Sequence, residues 1–392
     1  MRILFAGGAS GGHLYPGLAV AEELRRRGGV EPIFLTEGDP RTDAILAPHG
    51  IRTLRAESLP ARRPWRWGAA GGRLARILSR ERIEAVVALG GRPGLLPGAW
   101  ARWQRRPLFL LEQNRVLGRA NRLLLPLSTR IFLSFDDTAP ERALRHRGLR
   151  LGCPVRSAFT PAALPDGPPR LLVLGGSQGA QDVNDLAPAA LAAASSGREW
   201  RVIHICGPGK EKGIEEQYRA GGVLATVRAF LQDPSAALRD AALVIARAGG
   251  STIAELTAVG RGSLLLPYPH HRDRHQFRNA EAICERGGAE MVSTDAVELA
   301  ARLDTLFADA SRRSAMAAAA RAAGRPAAAA RIADVIATHL DCDPVRRRDA
   351  RGVDSRPHVV GSGVPPLPAG MGAGPEVAGG TAPGGARGEG ER

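Results

Sequence analysis

The stretch "ILFAGGASGGHLYPGLAVAEELRRRG", residues 3–28, decides the fold of this chain. A run of β-forming residues enters a glycine-dense loop at residues 7–13, and the chain then continues with helical periodicity. This order predicts a βα unit whose loop lies at the carboxyl end of a parallel strand, where α/β proteins bind ligands. The free N–H groups and the positive dipole end of the following helix favour an anion there.

The loop at residues 7–13 matches neither of the two best-known phosphate-binding motifs. Its glycines, at positions 7, 8, 11 and 12, do not have the GxGxxG spacing of dinucleotide-binding proteins. A P-loop ends in GK[ST], whereas here Gly12 is followed by His13 and Leu14. The motifs of a nicotinamide-dependent dehydrogenase and of a P-loop NTPase are therefore both missing from this loop.

Short apolar runs alternate with helical segments along most of the chain. "RILFAGG", "EPIFLTEG", "EAVVALGG" and "PLFLLEQN" each end in glycine or polar residues, which is typical of βα repeats in a doubly wound parallel sheet. After the proline-rich "SAFTPAALPDGPP" the pattern starts again with "RLLVLGGSQGAQDVNDLAPAALAAA". We expect two Rossmann-like α/β domains, residues 1–157 and 158–340, and a disordered Gly/Pro/Arg-rich tail, residues 341–392.

The composition is that of a soluble globular protein, with 44% hydrophobic and 24% charged residues. No apolar run reaches the ~18 residues of a membrane span, and "MRILF" is too short for a secretory signal, which predicts a cytosolic chain. The net charge of +15 comes almost entirely from arginine, since Lys210 and Lys212 are the only lysines. Such spread charge indicates a compositional bias and no nucleic-acid partner. The four cysteines lack zinc-binding spacing and are expected to be reduced.

Two further glycine loops are predicted at strand ends in the second domain. "GGSQGA", residues 175–180, can cradle a diphosphate through backbone amides and the Ser177 hydroxyl. In "ARAGGSTIAEL" a glycine pair precedes Ser251, and this segment has two interpretations. Either Thr252 and Glu255 form a capping box, or the helix start faces a diphosphate while Glu255 accepts hydrogen bonds from ribose hydroxyls. Because both domains begin with such a loop, we expect phosphate binding in the cleft between them.

The segment "PHHRDRHQFRNAEAI" also carries candidate ligand-binding residues. His271 and His275 have the i, i+4 spacing of metal ligands on a helix, but no third ligand is evident. The segment is better explained by a polyhydroxylated ligand that faces Asp273, Gln276 and Asn279. We therefore expect neither a metal nor another cofactor.

Six motifs in order resemble the MurG family of bacterial transferases, which add N-acetylglucosamine to lipid I to make lipid II. They are "GGASGGHLYPGLAVAEEL", "LEQNRVLGRANRLL", "GCPVR", "GGSQGAQDVN", "ARAGGSTIAEL" and "DRHQFRNA", and the resemblance extends from residue 1 to about 340. It implies a GT-B fold, in which two Rossmann-like domains face each other across a cleft. It also implies no required metal and inversion at the anomeric carbon.

The resemblance further implies a set of substrate-binding residues. Asn114 would contact the sugar, Arg156 the nucleotide and its phosphates, and Leu231 the uracil through its backbone. Glu255 would bind the ribose and Gln276 the donor sugar or diphosphate. The full set is Ser10, Gly11, Gly12, Asn114, Arg156, Ser177, Leu231, Gly250, Ser251, Thr252, Ile253, Ala254, Glu255 and Gln276.

Three positions depart from the family pattern. The family usually reads HEQN where this chain has Leu111, an aromatic residue where it has Arg92, and often glutamine where it has His275. A leucine cannot remove a proton, so the general base must lie elsewhere. His13, at a helix start beside the glycine loop, is the first candidate, and Glu112 is the second.

The implied reaction transfers N-acetylglucosamine from UDP-N-acetylglucosamine to the 4-hydroxyl of N-acetylmuramic acid in lipid I. Within the same fold, another UDP-sugar glycosyltransferase with a glycolipid acceptor and a UDP-N-acetylglucosamine epimerase stay as alternatives. The implied partners are the sugar nucleotide, lipid I in the cytoplasmic leaflet, and proteins of cell-wall synthesis and division. Peripheral attachment to the cytoplasmic face of the plasma membrane is expected.

The segment "PARRPWRWGAAGGRLARILSRER", residues 60–82, is the predicted membrane-facing patch. It interleaves Trp65 and Trp67 with arginines and then places Leu74, Ile77 and Leu78 on one helix face. Anionic headgroups attract arginines, and tryptophan suits the membrane interface. The alternative is an arginine-rich helix whose apolar stripe faces the protein core.

Overall fold

A computed structural model describes residues 1–341 apart from 9–10, 57–66, 140–143, 177–178 and 232. Ser10, Ser177, Trp65 and the predicted tail from residue 342 onwards lie outside the described residues. Among the described helices, none has the length and apolarity that crossing a membrane would need.

The first domain contains seven strands and five helices in the described part. The strands are β1 (Arg2–Ala6), β2 (Glu31–Thr36), β3 (Arg52–Arg55), β4 (Ala85–Ala88), β5 (Leu108–Glu112), β6 (Arg130–Leu133) and β7 (Gly148–Arg150). The helices are α1 (Gly11–Arg27), α2 (Pro40–Leu46), α3 (Trp67–Arg80), α4 (Leu95–Trp103) and α5 (Arg119–Leu124). All strand pairs are parallel, in the order β3-β2-β1-β4-β5-β6-β7.

The second domain repeats this plan with six parallel strands in the order β10-β9-β8-β11-β12-β13. The strands are β8 (Arg170–Leu174), β9 (Arg201–Ile205), β10 (Ala225–Arg228), β11 (Leu243–Ala246), β12 (Ser263–Leu265) and β13 (Ala289–Met291). The helices are α6 (Gln181–Ala193), α7 (Glu211–Ala220), α8 (Pro234–Asp240), α9 (Gly250–Val259), α10 (His275–Cys284), α11 (Ala296–Ala308), α12 (Ala310–Ala323) and α13 (Ala328–Asp341). The predicted fold class, two doubly wound Rossmann-like sheets, is confirmed.

Both sheets have a topological switch point, where the strand order reverses between the first and fourth strands. Ligands of open α/β sheets bind in the crevice that opens there. At the first switch point the loops after β1 and β4 touch, because the Gly8 amide donates to the Gly90 carbonyl over 2.9 Å. A Cβ at residue 7 would overlap Leu89, so this close approach requires glycine at position 7.

Helix α13 returns from the second domain to the first. Its Ile332, Ile336 and Leu340 are buried in the same apolar cluster as Leu18 and Leu24 of α1. The chain up to residue 340 was assigned from sequence to the second domain. In the structure its last described helix instead forms part of the first domain's core and joins the two domains.

The apolar stripe of α3 faces the protein core. Leu74 and Leu78 are 5% and 0% exposed and belong to the cluster beneath the first sheet, whereas Arg73, Arg76 and Arg80 are exposed. The predicted membrane face on this helix was therefore wrong for these leucines. Residues one turn apart on a helix share a face, and that spacing is the same whether the face meets a membrane or a core.

Arg261 is a fully buried cation that binds the proline-rich segment at residues 157–169, which we call the interdomain link. All five of its N–H donors are used: two bind the Ala162 and Ala163 carbonyls of the link, and three bind Leu238, Arg239 and Gly260, at the ends of α8 and α9. Burial and the charge of Arg321 lower the pKa of Arg261 to about 10. Carbonyls at helix C-termini carry partial negative charge, which stabilises the guanidinium.

We expect Arg261→Met to lower the free energy of unfolding by about 3 kcal/mol, because buried carbonyls lose their donors. Arg76→Met, an exposed substitution on α3, is the control and should change stability by less than about 0.5 kcal/mol. Urea denaturation followed by circular dichroism measures both. Equal stability of the two variants would show that Arg261 does not hold the link.

Candidate active site

A cleft of about 770 Å³ lies between the carboxyl edges of the two sheets. Its walls come from the loops after the strands at both switch points and from several helix starts. The predicted site residues that line it are Gly11, Gly12, His13, Asn114, Arg156, Leu231, Gly250, Ser251, Thr252, Glu255 and Gln276. Residues from distant parts of the sequence thus meet in one cavity, while their roles toward a substrate stay predictions.

Helix starts supply much of the cleft wall. The N-cap residues of α6 and α9 are Ala180 and Gly249, which have no side-chain oxygen to accept from the first-turn amides. Because Gly249 is the N-cap, Thr252 lies inside α9 and the capping-box interpretation does not apply. The first-turn N–H groups of these helices therefore suit the oxygens of a bound diphosphate.

His13 projects into the cleft from the first turn of α1. Its ring lies against two glycines: a Cβ at residue 8 would be 3.4 Å from Nδ1, and a Cβ at residue 90 would be 3.1 Å from Nε2. Burial, and secondarily the charge of His275, lower the pKa of His13 below 6.5. The imidazole is therefore neutral at pH 7 and can accept a proton.

Glu112 is not among the described residues that line the cleft. The residue is 3% exposed, and its carboxylate accepts hydrogen bonds from the Gly118 amide (2.8 Å), the Asn121 side chain (3.0 Å) and the Asn114 amide (3.1 Å). These partners come from the loop that follows β5 and the start of α5. Glu112 therefore shapes the loop that presents Asn114, and its role as the second candidate base stays a prediction.

Arg156 and Glu255 form a charged pair at the cleft floor. Arg156 Nη2 lies 3.7 Å from Glu255 Oε1, and its guanidinium stacks 4.4 Å from the Tyr15 ring centroid and 5.0 Å from that of Phe159. Burial raises the pKa of Glu255 to about 7, and the charge of Arg156 only partly opposes this. The pair therefore places a fixed cation beside a carboxyl group of raised pKa in the cleft.

Two of the implied site residues, Ile253 and Ala254, lie on the far side of α9. They face a separate cavity of about 50 Å³ that is also lined by Phe135 and Cys153. Gly250 borders both cavities, because the start of α9 separates them. Any part of Ile253 and Ala254 in ligand binding would therefore use backbone atoms.

The start of α10 presents a cluster of rings to the cleft. His271 and His275 have ring centroids 4.2 Å apart, the Tyr268 ring packs edge-on with its centroid 4.8 Å from that of His271, and Asp273 Oδ1 lies 2.7 Å from His275 Nδ1. Because α10 begins at His275, His271 lies in the preceding loop and the two histidines do not share a helix face. In the part of the chain that the structure describes, no three His, Cys, Asp or Glu side chains form a metal-binding group.

Asn279 was expected to face the ligand, but it is fully buried between the domains. Its side chain donates to Asn114 Oδ1 (2.9 Å) and to the Ala248 carbonyl (3.1 Å), and it accepts from the Arg115 amide (2.9 Å). Asn279 therefore joins the loop after β5 of the first domain to the glycine pair of the second. The expectation of direct ligand contact was wrong. A polar residue that joins two domains cannot be told from sequence apart from a polar residue that binds a ligand.

Sequence reasoning did not find Arg247 and Tyr15, which also line the cleft. Arg247 pairs with Asp182 in the first turn of α6, donates to the Leu266 carbonyl over 2.8 Å and lies 5.4 Å from the Tyr268 ring centroid. A signal was present, since Arg247 directly follows β11 at the switch point. Tyr15 lies two residues beyond His13 on α1, and residues two apart on a helix do not share a face, so no sequence pattern indicated that it lines the cleft.

These features are those of the GT-B fold, and comparisons with known proteins define the class further. The family models for the glycosyltransferase family 28 N-terminal and C-terminal domains match residues 3–133 and 170–332. A relative from Xanthomonas euvesicatoria pv. vesicatoria is 38% identical over 85% of this chain and 80% of its own length. One from Alkalilimnicola ehrlichii is 38% identical over 86% of this chain and 98% of its own.

Both relatives are named UDP-N-acetylglucosamine--N-acetylmuramyl-(pentapeptide) pyrophosphoryl-undecaprenol N-acetylglucosamine transferase. The chain therefore belongs to this transferase family, the MurG family, within glycosyltransferase family 28. The crystal structure of Acinetobacter baumannii MurG has a TM-score of 0.72 at 25% identity and covers 86% of this chain and 99% of its own. A UDP-GlcNAc 2-epimerase from Neisseria meningitidis, with a TM-score of 0.65 at 13% identity over 86% of this chain and 100% of its own, shares the fold alone.

Glu255→Gln should raise thermal stability at pH 8 but not at pH 5. Folding raises the pKa of Glu255 from 4.5 to about 7, so stability is lost as pH rises from about 4.5, where the unfolded chain ionises, to about 7, and stays low above that. We expect a midpoint increase of roughly 2–4 °C at pH 8. Glu216→Gln, on the exposed face of α7, is the matched control. An equal gain at both pH values would contradict the assigned pKa.

Proposed function

We propose that this chain transfers N-acetylglucosamine from UDP-N-acetylglucosamine to the 4-hydroxyl of N-acetylmuramic acid in lipid I, giving lipid II and UDP. The observation that carries the proposal is one cleft in which His13, Asn114, Arg156, Glu255 and Gln276 meet uncapped helix starts. The names of the family's relatives support the same donor and acceptor.

The second domain would bind the donor. Leu231 borders the cleft after β10 and would hold the uracil through its backbone, while Glu255 would accept from ribose hydroxyls. The amides of Gly250 and Ser251 would bind the diphosphate, and the Arg156 cation would face it. Amides and arginines can then stabilise the charge that develops on the leaving diphosphate.

The transfer is a single displacement. The acceptor's 4-hydroxyl oxygen attacks C1 of N-acetylglucosamine, the bond from C1 to the diphosphate oxygen breaks, and its electron pair stays on the departing UDP. The hydroxyl proton passes to His13, whose neutral imidazole lies in the cleft. Attack from the side opposite the diphosphate inverts the anomeric carbon. Leu111 is a fully buried core residue and takes no part.

The test is transfer of labelled N-acetylglucosamine from its UDP donor to a short-chain lipid I analogue in EDTA. We expect product without added metal, and no product with donor binding intact would overturn the proposed acceptor. An epimerase would instead interconvert sugar nucleotides or release UDP in the absence of lipid. Measuring UDP release with and without the acceptor separates the two functions.

In the same assay His13→Gln should lower kcat by about a hundredfold or more, the usual contribution of a positioned base. The donor KM should change by less than about threefold, because the substitution leaves the helix start and the second domain intact. His146→Gln, at an exposed position of the first domain, controls for the substitution type. A wild-type kcat in His13→Gln would exclude His13 as the base.

The membrane-facing surface is proposed at α4 and α5, because the apolar stripe of α3 is buried. These helices adjoin at Gly98 and Leu124, and they expose Trp103 (75%) and Leu123 (67%). Five exposed arginines surround the two residues in sequence: Arg102, Arg105, Arg106, Arg119 and Arg122. Apolar side chains among cations suit an anionic leaflet, which supports attachment of the enzyme at the cytoplasmic face beside its lipid acceptor.

Leu123→Ser should weaken sedimentation with anionic vesicles by roughly fivefold, the effect of losing one partly inserted apolar side chain. Leu224→Ser is the matched control, since Leu224 is 74% exposed but lies in the second domain. Wild-type binding should also weaken in high salt. Equal binding of both variants would show that α5 does not contact the bilayer.

A further inference from the structure

Helix α10 belongs to the second domain, but its two ends face different parts of the molecule. Its first residues, His275 and Gln276, line the cleft. Gln276 also accepts from the Tyr268 amide over 2.9 Å, which fixes its side chain at the cleft wall. The rest of the helix contacts loops of the first domain, so its placement depends on both domains.

Arg115, in the loop after β5, makes most of this contact. Its guanidinium donates to the Arg278 carbonyl over 3.3 Å and lies 3.7 Å from Glu281 and 3.4 Å from Glu285. On its other side Arg115 Nε binds Asp137 of the first domain over 2.8 Å. The Arg115 side chain is 17% exposed. One largely buried cation thus joins a carboxylate of one domain to two carboxylates of the other.

The charge balance at this contact depends on Arg115. Without its guanidinium, Asp137 of the first domain would face Glu281 and Glu285 of α10 with no cation between them. Like charges repel even where, as here, the carboxylates are 35–63% exposed and water screens part of the interaction. The neighbouring Asp136 of the first domain binds Arg286 and Arg325 and so supports the same contact, but it offers no cation to Asp137. Loss of Arg115 should therefore push α10 away from the first domain.

We propose that Arg115 is a positioning residue for the transfer reaction: it holds α10 against the first domain so that His275 and Gln276 face His13 across the cleft. This rests on the proposed function, because the donor would be bound largely by the second domain and the base lies on the first. No substrate contact by Arg115 is required. Its effect on the reaction passes through the position of α10.

The electrostatics of the cleft agree with this arrangement. The charge of His275 contributes to the lowered pKa of His13, although the two residues lie in different domains. Both residues line the same cleft, His13 from the first domain and His275 from the start of α10. The buried Asn279, which binds Asn114 and Ala248, lies in the same contact and restricts the helix in the same direction.

The test compares Arg115→Met with a variant in which the facing charges are also removed, Arg115→Met/Glu281→Gln/Glu285→Gln. We expect Arg115→Met to lower kcat by about tenfold or more, since misplacing a reacting group by an ångström has effects of this size. The affinity for UDP should change by less than about threefold, because the uridine contacts lie in the second domain. The triple variant should recover most of the lost kcat, since the repulsion is gone.

Two further variants separate positioning from general stability. Arg278→Met is the matched control, because the Arg278 side chain is exposed and pairs only with Glu281 among the described ion pairs; its kcat should be unchanged. Arg115→Lys keeps the charge but loses the branched donor set, so its kcat should be intermediate. Recovery in the triple variant cannot come from restored hydrogen bonds, only from removed repulsion.

Interdomain distance gives a readout that does not depend on activity. Fluorophores attached through non-canonical amino acids at the exposed positions Ser79 and Glu216 report the separation of the domains by energy transfer. We expect a broader distance distribution in Arg115→Met and a wild-type distribution in the triple variant. A wild-type distribution and kcat in Arg115→Met, or a triple variant as impaired as Arg115→Met, would overturn the proposal. Absence of transfer by the wild type would instead count against the proposed function, whereas the distance measurement would still test whether Arg115 holds α10 against the first domain.

Discussion

The cleft depends on a backbone contact between the two domains, where the start of α9 meets the loop after β5. A Cβ at Gly250 would overlap the Gln113 carbonyl, so the domains approach each other with no side chain between them. In a second interdomain contact α13 packs on α1, whose first residues line the cleft. These two contacts set the spacing at which residues of both carboxyl edges face one cavity.

That spacing explains why the charged groups of the cleft have unusual properties. Glu255 is held where its carboxylate is poorly solvated, and its pKa of about 7 records the cost. His13 is likewise desolvated, which keeps it neutral and available to accept a proton. Exposed versions of both groups would titrate normally and would be less suited to a reaction that must keep water away from an anomeric carbon.

Much of the fold and part of the cleft could be predicted from sequence, because both rest on local patterns. Strand, glycine loop and helix follow one another within about 30 residues, so "RILFAGG" and "RLLVLGG" were enough to predict both domains. Glu112 and Asn279 could not be assigned in this way, since their partners decide their roles. Asn279 binds a residue 165 positions away, and Glu112 is enclosed by a turn that no short motif specifies. The prediction that the leucines of α3 face a membrane failed for a related reason, since helical spacing is the same beneath a sheet and beside a bilayer.

Several arginines of this basic chain are bound to carboxylates or carbonyls in the structure, which the net charge alone does not indicate. Arg115, Arg247 and Arg261 are engaged by carboxylates or by carbonyls, and Arg156 is paired with Glu255. A guanidinium has five donors in a plane, so one side chain can bind several acceptors from different elements, which an ammonium group cannot do with the same geometry. These four arginines therefore join segments that are distant in sequence, at the interdomain link, at the glycine loops and at α10. The cleft needs its anion-binding capacity from backbone amides as well, because its arginines are already partly neutralised by the partners that hold them in place.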